Sequence, residues 1–292
     1  MDEKLRQIGV TESGRSNMVL ITGLLKYDSG KTSVAESIVT DAITRGIDIG
    51  VSKPISAVNG WYQYNCIKRS IEYGKLIGED VYRLHNAAKS SDPLEIESPA
   101  VSLLIPPDPE RVGWQSSAYM AFSLLDQIAV VRLTNVNESK HFYLPSNIRR
   151  ISRILQKEID KLINDIEPRP VKTEKLFVNE LLFRSYEIAD NCVEYIANRH
   201  DFLIVESYNN AASPTRKSLN AMAVVVATPS KVAIYDGDSY RKAMLATSEI
   251  LEPWRTTTEE ILPLIKPTKT VELNPGRRTE GLIDIILKLM VN

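Results

Sequence analysis

The chain has few of the residues on which several classes of site depend. Of its 292 residues, only two are cysteine and three are histidine. Cys66 and Cys192 lie far apart, which indicates free thiols in a reducing compartment and argues against a disulfide scaffold or a zinc site. His85, His141 and His200 show no metal-ligand spacing either. We therefore expect none of these five residues to bind a metal.

Long apolar runs and an excess of one charge are also missing. No apolar stretch approaches the length that spans a membrane, and no signal-peptide pattern is present, so we expect a cytoplasmic protein with no membrane partner. The formal net charge of −1 argues against nucleic acid as a partner. The hydrophobic fraction of 43% is ample for a buried core. Residues 1–17 are polar and predict a flexible arm, and residues 18–292 predict one α/β domain.

Glycine is scarce as well, yet two of the 13 glycines fall in the most informative segment of the chain. Residues 21–33 have the sequence ITGLLKYDSGKTS, which contains the Gly-Lys-Thr of a phosphate-binding P-loop. The apolar residues 18–21 before the loop predict a buried strand, and residues 33–39 after it predict a helix. A strand, a tight loop and a helix in this order are the context in which the motif binds phosphate.

The residue types of this loop suit a nucleotide. Backbone N–H groups and the helix start can surround anionic phosphates, and Gly30 lets the backbone approach them closely. We expect Lys31 to reach the β- and γ-phosphates and the Thr32 hydroxyl to hold Mg²⁺. Leu25 replaces the usual first glycine of the motif, so a simple turn at a helix start is the alternative. The expected cofactors are ATP or GTP and Mg²⁺, bound by Lys26, Tyr27, Asp28, Ser29, Gly30, Lys31, Thr32 and Ser33.

Three further polar residues are expected beside the loop. Residues 47–52 and 201–206 predict strands that end at Lys53 and Glu206, and open α/β sheets bind ligands at the carboxyl ends of their strands. Glu206 is therefore a Walker-B-like carboxylate for Mg²⁺, or else a solvated charge at a strand end. Lys53 points over the same crevice if its strand lies next to the loop strand. Asp80 opens a predicted helix and is either a further metal ligand or an acidic residue favoured by the helix dipole.

The remaining pattern predicts a single domain with an insertion. A helix over residues 32–45 completes a βαβ unit, which implies parallel strand pairing. Residues 107–171 indicate an inserted subregion, formed by a hairpin and a long helix over residues 146–166. The apolar stripe of that helix predicts either a surface helix packed on the core or a dimer seam. Further predicted elements are helices over residues 66–74, 79–88, 182–199, 238–251 and 279–291, and strands over 222–227 and 269–273.

Four of these segments together resemble the ordered motifs of the dethiobiotin synthetase family. Residues 22–32, 51–54, 79–81 and 203–207 supply Thr-Gly with Gly-Lys-Thr, a strand ending in Lys-Pro, an aspartate at a helix start, and a strand ending in glutamate. The chain is also similar to cobyrinic and cobyric acid synthases and to uncharacterised archaeal-type predicted P-loop ATPases or GTPases of the SIMIBI class. The resemblance implies an α/β, three-layer P-loop NTPase fold, with a mostly parallel central sheet and helices on both faces. It also implies catalytic roles for Lys31, Lys53 and Glu206 and metal-binding roles for Thr32, Asp80 and Glu206.

The same resemblance implies a Mg-dependent ATPase that activates a small carboxylate or carbamate, with a nucleotide and a small-molecule substrate as partners. Lys26, however, occupies the position of the signature lysine of ParA/MinD-like switches, which acts across a dimer. A dimeric NTPase switch acting on a protein partner is therefore the alternative, and a protein that binds nucleotide without catalysis is a third possibility. We expect a homodimer. Residues 207–212 replace the family's glycine-rich stretch near the substrate, and Asn274 and Pro275 are the expected contacts of the nucleotide base.

Overall fold

The computed structural model describes residues 17–171, 175–247, 252–274, 276 and 278–291. These residues form eleven strands, twelve α-helices and four short 3₁₀-helices. The strands are β1 (Met18–Gly23), β2 (Ile49–Ser52), β3 (Ile55–Asn59), β4 (Ala100–Leu104), β5 (Ile128–Asn135), β6 (Glu138–Tyr143), β7 (Arg169–Pro170), β8 (Phe202–Glu206), β9 (Ala223–Thr228), β10 (Lys231–Asp236) and β11 (Lys269–Glu272). The helices are α1 (Lys31–Thr44), α2 (Tyr64–Tyr73), α3 (Glu79–Ala88), α4 (Leu94–Glu97), α5 (Ser116–Met120), α6 (Leu124–Gln127), α7 (Pro145–Ile148), α8 (Arg153–Ile166), α9 (Lys175–Ala197), α10 (Gly237–Ala246), α11 (Thr258–Ile261) and α12 (Leu282–Val291). Apart from Asn17, the arm expected over residues 1–17 lies outside the described residues.

Six strands form the sheet behind the loop, in the order β11-β10-β9-β1-β8-β2. β9, β1, β8 and β2 pair in parallel, whereas β10 runs antiparallel to both of its neighbours. The α/β class predicted from the sequence is confirmed, but this sheet is mixed. The sheet differs from the mostly parallel one that was expected because it contains β10, a strand that the sequence pattern does not predict. β10 follows β9 after Pro229 and Ser230, and the positive φ of 70° at Ser230 permits this tight turn.

Alternating apolar side chains bury both faces of this six-stranded sheet. Along β1, Val19 and Ile21 belong to a core shared with α1, α3 and α12, while Met18 and Leu20 belong to a core shared with α9 and α10. All six residues of β1 are buried, as expected for a central strand with helices on both sides. Helices therefore cover both faces of the sheet, and the loops at its carboxyl edge are the place where a site can form.

A second, five-stranded sheet has the order β3-β4-β5-β6-β7 and is also mixed. β2 ends at Ser52 and β3 begins at Ile55, so Lys53 and Pro54 alone connect the two sheets along this stretch of chain. The expected hairpin lies at β5 and β6, which pair antiparallel. β3 and β4 come before residue 107, so the second sheet includes strands from outside the insertion expected at 107–171.

The helix expected over residues 146–166 is interrupted. It forms two helices, α7 and α8, separated by residues 149–152. The side chain of Gln156 stabilises the interruption, because its Nε2 donates hydrogen bonds to the carbonyl oxygens of Ile148 (3.2 Å) and Ile151 (3.0 Å). Carbonyl groups at a helix end need such partners. The prediction of one continuous helix was therefore wrong at its first turn.

The apolar stripe of α8 packs on its own chain. Leu155, Ile159 and Leu162 are buried in a core that includes Val101 of β4 and Val130 of β5. This is the arrangement of a surface helix packed on the second sheet, and it leaves these side chains unavailable for a dimer seam.

Helix α9 connects the cores of the two sheets. Ile188 packs against the core of the second sheet, and Val193 and Ile196 belong to the core of the first.

Cys66 and Cys192 are free and buried. Within the described residues, no helix combines the length and the apolar character that a membrane crossing requires.

Candidate functional site

The loop between β1 and α1 is the centre of the candidate site. Gly30 precedes α1 with a φ of 83°, a left-handed conformation that side chains rarely adopt, and Asp28 has a φ of 55°. The Oγ of Ser29 closes the turn by donating a 2.7 Å hydrogen bond to the carbonyl oxygen of Leu25. The loop therefore leads directly into a helix N-terminus, where unpaired N–H groups can bind an anion.

Gly23 has a role in this loop that the sequence motif does not assign to it. A Cβ at this position would lie 2.4 Å from Ser29 Oγ and 3.1 Å from Lys31 Nζ. Any side chain here would therefore displace the loop or the lysine. Gly23 leaves the space that the loop needs to fold back over β1, although Leu25 occupies the usual first glycine position of the motif.

Lys31 extends from the start of α1 towards the end of β8. Its Nζ donates a 2.6 Å hydrogen bond to the carbonyl oxygen of Asn209, a residue with a positive φ of 46°. Burial lowers the pKa of Lys31, and the ammonium group of Lys53 lowers it further. A carbonyl is a weak partner for a buried ammonium, so an anionic phosphate oxygen would be a stronger one.

Lys53 lies between two carboxylates at the end of β2. Its Nζ is 2.5 Å from Glu206 Oε1 and 2.6 Å from Asp80 Oδ2. Burial opposes the charge on Lys53, but the two carboxylates outweigh it and raise the pKa of Lys53. Burial likewise opposes the charge on Asp80, yet Lys53 holds the pKa of Asp80 below its usual value. Lys53 and Asp80 are therefore both charged at neutral pH.

Glu206 is fully buried and only partly paired. Its Oε1 accepts hydrogen bonds from Thr32 Oγ1 (2.9 Å) and Lys53 Nζ, while its Oε2 has no hydrogen-bond partner among the described residues. Burial raises the pKa of Glu206, and the Lys53 ammonium opposes that rise. A buried carboxylate oxygen without a partner is costly, so this oxygen is suited to a bound cation or an ordered water.

Strand register explains why these residues meet. β8 lies between β1 and β2, with Ile21 of β1 opposite Glu206 and Ser52 of β2 opposite Val205. The carboxyl ends of the three strands therefore lie side by side, and the loop, Lys53 and Glu206 follow from the same edge. Asp80 comes from the first turn of α3, which contacts α1 and β2.

A cavity of about 810 Å³ opens in front of this edge. Its polar half is lined by the loop between β1 and α1 and by the charged cluster next to it. The second sheet and α6 line the other half. The predicted site residues in the cavity wall are Lys26, Tyr27, Asp28, Ser29, Gly30, Lys31, Thr32, Ser33, Lys53, Asp80 and Glu206.

Four predicted residues, Lys26, Tyr27, Asn274 and Pro275, are not part of the charged cluster. Lys26 and Tyr27 are exposed at the cavity, and Lys26 Nζ lies 5.4 Å from the centre of the Tyr27 ring. Asn274 is exposed and is not a lining residue, because it follows β11, which is separated from β1 by β10 and β9. Pro275, the other expected base contact, lies outside the described residues.

Beyond the predicted site residues, the cavity wall includes Arg83 and Tyr186, which were not expected there, and Tyr208 and Asn209, which belong to the stretch 207–212 expected near the substrate. Arg83 lines the polar half and forms a bidentate ion pair with Glu36 of α1, with Nε 2.9 Å from Oε1. Arg83 could have been found, because it lies three residues after Asp80 and so shares its helix face. Asn209, Tyr208 and Tyr186 also line the cavity, and the hydroxyl groups of the two tyrosines are 3.1 Å apart. Tyr186 is distant in sequence, and no local pattern marks it.

The donor atoms of the polar half fit Mg²⁺ bound together with a nucleotide. Thr32, Asp80 and Glu206 offer hydroxyl and carboxylate oxygens, which are the ligands that Mg²⁺ prefers. In the part of the chain that the structure describes, no cluster of three or more His, Cys, Asp or Glu side chains can hold a metal. Mg²⁺ commonly takes only one or two carboxylates and completes its shell with phosphates and water. The site therefore suits a Mg-nucleotide better than a free ion.

The three histidines lie outside the cavity wall and bind protein groups. His85 is paired with a buried glutamate, and His141 accepts a backbone hydrogen bond, with burial lowering its pKa to about 4. His200 donates to Asp92 (2.7 Å) and Asp48 (2.8 Å), and these hydrogen bonds raise its pKa to about 9. All three histidines are thus engaged in structural hydrogen bonds.

No protein-family model, curated protein sequence or solved structure matches this chain. The geometry of the cavity and the chemistry of its side chains are therefore the basis for any functional conclusion.

Proposed function

We propose that the protein binds a Mg-nucleoside triphosphate at residues 26–33 and uses it to phosphorylate a small carboxylate or carbamate. The observation that supports this proposal most directly is the position of Lys53. Its ammonium lies between Asp80 and Glu206, beside the loop that contains Lys31 and Thr32, and all of these groups come from one chain. Two cations and a metal-binding carboxylate next to a phosphate loop are the groups that phosphoryl transfer needs.

The roles of the side chains follow from charge. Lys31 and Lys53 neutralise the negative charge that spreads over the transferred phosphoryl group. A carboxylate oxygen of the substrate attacks the γ-phosphorus, the bond from that phosphorus to the β–γ bridging oxygen breaks, and the nucleoside diphosphate leaves with the electron pair. The products are an acyl phosphate and the diphosphate. Since a carboxylate is already deprotonated at neutral pH, this step requires no general base.

Thr32, Glu206 and Asp80 are the residues that would hold Mg²⁺. The ion supplies charge neutralisation of the phosphate oxygens when it is bound. Lys53 donates to Oε1 of Glu206, and the buried Oε2 of the same carboxylate, which has no hydrogen-bond partner among the described residues, can accept a second cationic partner. Glu206 can therefore serve the lysine and the ion through different oxygen atoms.

The second half of the cavity supports an enzyme rather than a binding protein alone. The wall continues beyond the phosphate loop onto the second sheet, so the cavity provides a surface next to the γ-phosphate position for another molecule. A cavity of about 810 Å³ is within the range of small-molecule sites in enzymes, which is roughly 300–1,000 Å³.

One observation favours the alternative function, a dimeric ParA/MinD-like switch. Lys26 is exposed at the edge of the cavity, where a lysine that acts on a partner subunit's nucleotide has to be. In this structure its ammonium lies near the ring of Tyr27 of its own loop. The enzyme function explains the buried Lys53 cluster, which the switch does not require, and we therefore prefer it.

The test is calorimetry with Mg-ATP and Mg-GTP, followed by turnover assays with and without pooled small carboxylic acids. Lys31→Ala should abolish nucleotide binding, since the variant loses the loop's cation at the β- and γ-phosphates. Lys157→Ala, which removes an exposed lysine of α8, is the matched control and should bind as the wild type does. Unchanged affinity in folded Lys31→Ala protein would refute the phosphate-loop assignment. Strong stimulation by one of the acids supports the enzyme, whereas slow turnover tied to dimerisation supports the switch.

A further inference from the structure

The half of the cavity that lies beyond the phosphate loop has an apolar wall. Ile55 and Ala57 of β3, Leu104 of β4, and Leu124 and Leu125 of α6 line it, together with Ile128 and the uncharged polar residues Ser56, Gln63 and Ser102. Ala57 and Leu124 are exposed, with 53% of Leu124 accessible, and Ile55, Leu104 and Leu125 are only partly buried. Apolar side chains left accessible inside a cavity indicate a surface that an apolar ligand covers.

Strand pairing makes this wall continuous. Ala57 of β3 lies opposite Ser102 of β4, and Leu104 of β4 lies opposite Ile128 of β5. Ile55 and Leu104 also pack against the core of the second sheet, which holds them in place. Ile55, Ala57 and Leu104 therefore stand on paired strands, and Leu124 stands on the short helix α6 beside them.

Charge is distributed unevenly between the two halves. The lining residues that come from residues 55–63 and 102–128 include no Lys, Arg, His, Asp or Glu. The cations Lys31 and Lys53 lie at the other end, and Lys53 is separated from Ile55 by Pro54 alone. A ligand that placed an anionic group at Lys53 would therefore lay the rest of its body along the wall that begins at Ile55.

We propose that the substrate of the phosphorylation is a monocarboxylic acid with an apolar body of medium length. This inference rests on the proposed function. The carboxylate lies at Lys53 and receives the phosphoryl group, while the apolar body covers the wall formed by Ile55, Ala57, Leu104 and Leu124. A second carboxylate at the far end of the molecule would lose part of its hydration against apolar side chains and would meet no Lys, Arg or His among the lining residues of this wall. Dicarboxylic acids of the same length are therefore poor substrates.

The test is a comparison of three acids in the presence of Mg-ATP: octanoate, pentanoate and suberate, which has the length of octanoate and a second carboxylate. We measure release of the nucleoside diphosphate and trap the acyl phosphate with hydroxylamine as the hydroxamate. Octanoate should half-saturate the enzyme at a concentration at least roughly tenfold below that of pentanoate, because it buries about three more methylene groups. Suberate should be weaker than octanoate by a similar factor.

Two variants test the wall itself. Ala57→Leu fills the space beside Ser102, and Leu124→Asp places a negative charge on an exposed position of the wall that the fold tolerates. Each should raise the half-saturating concentration of octanoate by about tenfold or more. Ala246→Leu adds the same side chain as Ala57→Leu at an exposed position of α10 outside the cavity wall, and it should leave octanoate dependence unchanged.

The outcomes separate this inference from the proposed function. If the wild type binds and hydrolyses nucleotide but responds equally to the three acids, or prefers suberate, the apolar-substrate inference is wrong and the nucleotide site stands. If both wall variants respond to octanoate like the wild type, the inference is also wrong. If the wild type binds neither Mg-ATP nor Mg-GTP, the proposed function fails and this inference fails with it.

Discussion

Replacement of Lys53 by methionine should destabilise the folded protein in a way that depends on pH. Methionine keeps most of the aliphatic length of the lysine and removes its charge. The ammonium of Lys53 lies within 2.6 Å of both Asp80 and Glu206. Without it, Glu206 is fully buried with one hydrogen bond, from Thr32, and Asp80 becomes a second negative charge beside it.

The magnitude follows from the burial of this cluster. Removing one partner of a buried ion pair typically costs about 3–5 kcal/mol, because the remaining charge has no compensation. We expect a loss of about 3 kcal/mol in the free energy of unfolding near neutral pH. The pKa of Glu206, already raised by burial, should rise further in the variant. A carboxyl group whose pKa is higher in the folded than in the unfolded state stabilises the fold as pH falls, so the loss should shrink towards about 1 kcal/mol near pH 5.

Urea unfolding of the nucleotide-free protein at about pH 7.5 and about pH 5 measures this effect. The double variant Lys53→Met/Glu206→Gln should recover most of the lost stability, because the buried charge is then gone as well. Lys157→Met, at an exposed position of α8, is the control and should be close to neutral. The reasoning is refuted if Lys53→Met costs less than about 1 kcal/mol near neutral pH, or if the double variant is as unstable as the single one.

Three further predictions concern Glu206, Lys26 and His200. Glu206→Gln should bind Mg-ATP nearly as the wild type does and should hydrolyse it about a hundredfold more slowly, and wild-type turnover would reduce Glu206 to a structural role. Lys26→Ala should keep nearly wild-type turnover at every protein concentration. If Lys26→Ala is instead inactive and regains activity when it is mixed with Lys31→Ala, the switch is favoured. His200 has a pKa of about 9 in the folded protein, above its ordinary 6.5. The protonated imidazole therefore adds to the free energy of unfolding in full below pH 6.5, and this stabilisation is lost as pH rises through 9. His200→Gln should remove this pH-dependent stabilisation, which amounts to about 1 kcal/mol after allowance for solvent screening. If the free energy of unfolding of the variant changes with pH as it does in the wild type, the prediction is wrong.

Local sequence patterns were sufficient to name the loop and the charged residues that meet at the carboxyl edge of the first sheet. The Gly-Lys-Thr of the loop, and the strand ends at Lys53 and Glu206, are short-range signals whose meaning depends only on the neighbouring strand and helix. Strand pairing then brings them together, since Ile21 lies opposite Glu206 in the sheet. These residues could be named before any tertiary contact was known.

The remaining parts of the site depend on contacts between distant segments. β3 begins at Ile55 and pairs with β4 some forty-five residues later, with Ile55 opposite Ala100, so the apolar wall has no local signature. Likewise β10 has a short, partly polar sequence, and its pairing with β9 changes the sheet from parallel to mixed. The expectation for Asn274 depended on the order of strands in the sheet, which places β11 at the far edge. Strand order is set by packing across the whole domain and cannot be obtained from one segment.

The short connection between the two sheets has a mechanical consequence. Lys53 and Pro54 are the entire link from β2 to β3, and the proline ring restricts its backbone angle φ to near −65°. No flexible loop separates the backbone of Lys53 from the start of β3. The backbone of Lys53 and the first residue of the apolar wall are therefore held at a nearly fixed separation, so a ligand that contacts both has to match that spacing.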